Sequence, residues 1–200
     1  MRVERSGTTA GLAAGAVGMA ALLAGASLGP AAEAATQLPS GSKAVTVVAR
    51  DGTRQVIGRA EFTPDGDGAK VAVVLDAPEF TEEFLSMRPF RCLSGPKQMW
   101  CHLVYPYGTR ARITASDLVD LEYQLMFIWR TPDRVGADAW NGLYFKLALE
   151  PDGGIAGALH EADYNVLATP PADTFARPVG HGDLTPAEPG RRLFDRIEIR

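Results

Sequence analysis

The sequence predicts an α+β domain, mainly antiparallel β, built as a single curved sheet or partly closed barrel with one or two short helices. Three observations carry this. Short runs that alternate apolar and polar residues, such as Leu143-Tyr144-Phe145-Lys146-Leu147, recur along the chain. Turn-forming pairs stand between such runs, among them Asp51-Gly52 and Gly153-Gly154. The only two cysteines, Cys92 and Cys101, are spaced to face each other across one hairpin. A sheet of about eight strands with one apolar face has to cover that face or close on itself, which favours the partly closed barrel.

The N-terminal 34 residues read as a secretory signal. Arg2 and Arg5 give a basic start, residues 10–28 carry no charge, and Ala32-Glu33-Ala34 supplies the small-x-small pattern for cleavage after Ala34. An uncleaved anchor fits less well, because the run is rich in Ala and Gly and poor in strongly apolar residues. The expected protein is periplasmic or secreted, without a stable membrane anchor after cleavage, and folds where disulfides persist. Residues 35–42 read as a flexible leader and 43–200 as a single β-rich domain. Cleavage removes two Arg and two Glu, so the net charge of −4 is unchanged. Such mild acidity gives no footprint for nucleic acid.

The first strand is expected over 44–50, the second over 54–62 and the third over 69–75. Pairing by turns sets Val47 against Val56, Gly58 against Val73, Ala60 against Val71 and Glu61 against Lys70. The loop between the second and third strands holds Asp65 and Asp67. Alternating carboxylates suggest calcium, but the later Glu of a calcium loop is missing, so a plain turn is expected.

Residues 78–87 (PEFTEEFLSM) predict a short helix opened by proline, with Phe80, Phe84 and Leu85 turned inward. The cysteine hairpin follows. Opposing Cys92 to Cys101 also opposes Leu93 to Trp100 and Ser94 to Met99, leaving 95–98 as the turn. A structural disulfide is expected, since the spacing is not the C-x-x-C of redox centres. Thr114 to Asp117 resembles a capping box and predicts a helix over 115–123, with Leu118, Leu121 and Leu125 on one face. Residues 125–129 are apolar at every step, and periodicity does not separate helix from buried strand there. The run 143–149 and its return from Ile155 form a hairpin that sends His160 outward. Residues 164–191 read as a long surface connection rich in Pro and Gly, and 193–200 as a closing strand. This layout resembles that of small lipocalin-like periplasmic proteins. The likeness is one of arrangement, with no lipocalin signature residues, and implies no function.

Candidate chemistry is sparse. His160, Glu161 and Asp163 form the densest set of metal-ligating groups, to which neighbouring strands could add His102 or His181. On a strand His160 and Glu161 point to opposite faces, so a shared site needs a break there. There is no G-x-S-x-G, no glycosidase-like carboxylate pair and no cofactor motif. The aromatics Trp100, Tyr105, Trp140 and Tyr144 are candidates to line a ligand-binding mouth, though core filling is the plainer reading. The expected role is a non-catalytic binding or accessory module for a small ligand or protein partner. The alternative is a metal-assisted hydrolase around His160.

Overall fold

The computed structural model describes residues 37–85, 89–134 and 136–200. The expected signal segment 1–34 lies outside the described residues. Twelve strands are seen among them: β1 (Gly41–Val48), β2 (Arg54–Asp65), β3 (Gly68–Val74), β4 (Phe80–Phe84), β5 (Pro89–Ser94), β6 (Met99–His102), β7 (Arg112–Thr114), β8 (Phe127–Arg130), β9 (Gly142–Leu149), β10 (Ile155–Ala162), β11 (Thr185–Pro186) and β12 (Arg196–Ile199). They form one sheet in the order β4-β5-β6-β8-β9-β10-β12-β1-β2-β3-β7, with β11 paired to β10. Every pairing is antiparallel. The sheet curls into a half-barrel and carries one short helix, α1 (Val119–Glu122).

The first two hairpins form with altered registers. β1 and β2 pair as expected from Val45 and Gly58 outward, then slip by one residue between Val45 and Thr46. The extra residue is Ile57, which is wholly buried, while Val56 turns to solvent and Val47 faces Gln55. A β-bulge thus exchanges which apolar side chain enters the core. Between β2 and β3 the pairing shifts by two: Ala60 faces Val73, Phe62 faces Val71 and Lys70 faces Thr63. A two-residue shift preserves the inward face. Its origin is a tighter turn, Gly66-Asp67, opened by Gly66 at a φ of 63°. The paired carboxylates there hold a guanidinium: Arg112 Nε lies 3.3 Å from Asp65 Oδ2, and its Nη2 bonds Asp67.

The helix expected over 78–87 is instead the edge strand β4. Phe80 opposite Leu93 packs against the core, but Phe84 points to solvent. One or two helical turns are marginal alone, and pairing with β5 satisfies the same backbone groups. Glu82 and Glu83 place charge on the edge strand, which discourages further pairing.

The cysteine hairpin forms in the expected register, with the Cys92–Cys101 disulfide closed. Replacing Cys92 with alanine is expected to lower stability by about 2–3 kcal/mol, from the freed loop of the unfolded chain. Urea denaturation checks this, and an unchanged midpoint would contradict it.

The helix expected over 115–123 contracts to α1. Thr114 and Asp117 close a turn by reciprocal backbone bonds, and the Asp117 carboxylate accepts the Val119 N–H at 3.1 Å. The chain becomes helical only beyond that turn, passes through a 3-10 turn (Tyr123–Leu125), and enters strand β8. The ambiguous apolar run therefore ends as strand.

β9 and β10 form as expected, and the closing strand forms as the shorter β12, which begins at Arg196 rather than at Leu193. Segment 164–191 is the long, mostly exposed connection expected, but it also packs the buried residues Tyr164, Leu167 and Val179 against the sheet. Its prolines and glycines keep it from forming a long ladder without keeping it from packing. Two large apolar clusters result, beside a small one of Cys92, Met99 and Cys101. One gathers Val45, Ile57, Trp100, Phe145 and Ile197; the other packs Tyr123, Met126, Ile128 and Tyr144 beneath this strap. Gly142 belongs to the strap's seat, because a Cβ there would lie 2.4 Å from Ala162 O and 2.8 Å from the Tyr164 ring.

Candidate functional site

A cavity of about 570 Å³ opens between the disulfide hairpin and the strap. Phe90 of β5, Leu103 and Val104 after β6, Ile128 of β8, and Leu167 and Ala168 of the strap give it apolar walls. Glu82, Arg91, His102 and Asn165 are its main polar members. The volume falls within the roughly 300–1,000 Å³ typical of small-molecule sites.

The walls are held by short-range chemistry. Leu103 N–H makes a last sheet-like bond to Met126 O at 2.9 Å before the chain leaves the ladder. Tyrosine hydroxyls then fasten the strap: Tyr105 donates to Ala176 O at 3.0 Å, Tyr107 to Leu167 O at 2.6 Å and Tyr123 to Val179 O at 3.0 Å. Asp163 starts the 3-10 turn Tyr164–Ala168 by accepting the Asn165 N–H at 2.8 Å. Tyr164 donates to Leu143 O at 2.7 Å, and burial raises its phenol well above the ordinary range. Arg91 is occupied by Leu75 O at 2.5 Å.

Exposed apolar side chains lie on or next to the wall residues. Val104 is 71% exposed and lies on the wall itself; Trp140, 69% exposed, follows the wall residue Ala139. Val166 sits in the same 3-10 turn as Leu167, and Phe84 pairs with the wall residue Pro89. All four are exposed. An apolar pocket with an exposed apolar rim is the usual mark of a binding surface.

A second cluster lies beneath the far end of the strap. Glu122 of α1 is wholly buried. Tyr144 donates its hydroxyl to Glu122 Oε2 at 2.5 Å, and Leu147 N–H donates to Oε1 at 2.7 Å. His181 Nε2 lies 2.7 Å from Oε2. Burial, with the charge of Glu122 behind it, drives the Tyr144 phenol far above its ordinary pKa and keeps it a donor. Nearby, Arg177 bonds Asp117 at 2.7 Å and Asp120 at 2.6 Å. Of these groups, Glu122, Leu147, His181 and Asp117 border an open cleft that also includes Ser116. With its oxygens filled by three donors, Glu122 acts as a latch that ties the strap to helix and sheet.

The sequence-predicted residues are distributed differently. Trp100 is wholly buried among Phe127, Phe145 and Phe194, and Tyr144 is consumed by Glu122. Tyr105 stacks edge-on against Tyr123 with ring centres 4.7 Å apart. Trp140 alone of the four candidate aromatics is largely exposed, and none of the four lines the apolar cavity. The candidate metal set is dispersed among other partners. His160 Nδ1 lies 3.1 Å from Ala158 O, Glu161 accepts Arg192 at 2.6 Å, and Asp163 caps the 3-10 turn. His102 Nε2 lies 3.1 Å from Gln124 O, and burial lowers the pKa of its imidazole. Among the described residues, no group of three or more His, Cys, Asp or Glu is arranged to hold a metal.

Glu122 carries no motif, yet the sequence holds a signal for it. Leu118, Leu121, Glu122 and Leu125 follow the i, i+3, i+4, i+7 spacing, so a carboxylate occupies a core position of the apolar stripe.

Comparison with known protein families, with curated proteins and with solved structures gives no match for this chain.

Proposed function

We propose that this protein is an exported, non-catalytic binding module that holds a small apolar molecule between the disulfide hairpin and the strap. The carrying observation is the apolar cavity, with Val104 exposed on its wall and Trp140 exposed next to the wall residue Ala139. The closed disulfide favours an oxidising compartment, in keeping with the signal-like N-terminal segment. No helix among the described residues is long and apolar enough to cross a membrane. The lipocalin-like layout enters only as an analogy for how a curled sheet can present a cavity.

Nile red titration of the mature chain is the direct test. Saturable one-to-one binding is expected. Ala168 is exposed and lines the cavity, so Ala168→Trp fills the space without disturbing the core. That variant should weaken binding by about tenfold or more at an unchanged Tm. Undiminished affinity in Ala168→Trp would overturn the assignment.

A further inference from the structure

The apolar cavity has a basic neighbour. A second cavity, of about 470 Å³, is lined by Arg130, Arg134, Asp138, Trp140, Asn141 and Asn165. Ala139 and Asn165 belong to the walls of both cavities, so the two adjoin. Together they offer an apolar slot leading to a pair of guanidiniums.

Arg130 ends β8, and its side chain is only 9% exposed. Its Nη1 donates to Arg134 O, its Nη2 lies 3.5 Å from Glu83 Oε2, and its Nε has no partner among the described residues. A buried guanidinium whose carboxylate partner reaches only Nη2 and whose Nε–H is orphaned is incompletely satisfied, which is costly in an interior. Arg134 is exposed beside it. The other charged residue in this wall, Asp138, already accepts the Trp140 N–H at 3.1 Å. Glu83 and Asp138 balance the two guanidiniums in charge but leave Arg130 Nε without an acceptor among the described residues, and guanidiniums suit the paired oxygens of a carboxylate or phosphate.

We infer that the ligand is a single-chain anionic amphiphile, its chain in the apolar cavity and its carboxylate or phosphate head at Arg130 and Arg134. This rests on the binding role proposed above and specifies the class of molecule. Trp140, exposed beside the basic cavity, would cover the junction of chain and head with its indole face.

Calorimetry with three probes of equal chain length tests it: dodecanoate, dodecyl phosphate and dodecanol, each below its micelle concentration. At least one anionic probe should bind about tenfold or more tighter than dodecanol, with the advantage shrinking as salt rises. Whichever anion binds more tightly identifies the head. Arg134→Gln, at an exposed position, should cut that advantage severalfold while leaving dodecanol binding and Tm unchanged. Equal binding of all three probes would overturn the head-group assignment while the apolar site stood. Binding of none would overturn both. An anionic advantage that survives in both Arg134→Gln and Arg130→Lys would place the head elsewhere and overturn the inference.

Discussion

Replacing Trp100 with alanine is expected to lower folding stability by about 3–5 kcal/mol. The indole is completely buried, and its ring centre lies 6.0 Å from that of Phe127, 6.2 Å from Phe145 and 5.4 Å from Phe194. Those partners come from β8, β9 and the segment entering β12, so one side chain joins parts of the sheet distant in sequence. Truncation leaves a cavity that three rings held in separate segments cannot fill. Against a typical total of roughly 5–15 kcal/mol, a loss of this size removes a large share of the margin. Urea denaturation followed by circular dichroism measures it. A loss below about 1 kcal/mol would mean that Trp100 is not the packing centre described.

Glu122→Ala is the second large effect, expected at about 2–5 kcal/mol. The Tyr144 hydroxyl and the Leu147 N–H would both stay in the interior without an acceptor, and each unmet donor costs about 1–3 kcal/mol. His181 would lose its partner at the same time. The strap should loosen locally, with faster hydrogen exchange at Val179 and Asp183 than in the parent. Tyr144→Phe is the informative contrast. It removes one donor and leaves Glu122 bonded to Leu147 and His181, so its cost should be the smaller. Equal losses in the two variants would contradict the description of Glu122 as the hub of the latch.

What was legible in the chain follows from local rules. The alternation in β9 and β10, the Gly-rich turn between them and the spacing of Cys92 and Cys101 each specify a hairpin without outside information. The departures arise where distant segments decide. Ile57 takes the inward place expected of Val56 because a bulge shifts β2 against β1, and nothing in the pattern of β2 alone marks the extra residue. Residues 78–87 carry a helical spacing of Phe80 and Phe84, but the open edge of β5 offers their backbone a partner. The site was harder still. Its walls come from β5, the segment after β6, β8 and the strap, and the strap's Leu167 and Val179 stand among prolines and glycines that suggest a loop. Aromatic content pointed to Trp100 and Tyr144, which the fold uses for packing. The smaller apolar residues Leu103, Val104 and Leu167 make the pocket instead.

The most direct measurement is a methyl-resolved NMR titration of the mature protein with dodecanoate. An apolar site beneath the strap requires saturable shifts at the methyl groups of Leu103, Val104, Ile128 and Leu167. The methyls of Val45, Val47 and Ile197, inside the other apolar cluster, should keep their positions. Shifts confined to that cluster, or no saturable shift at the pocket methyls, would contradict a ligand site between the disulfide hairpin and the strap.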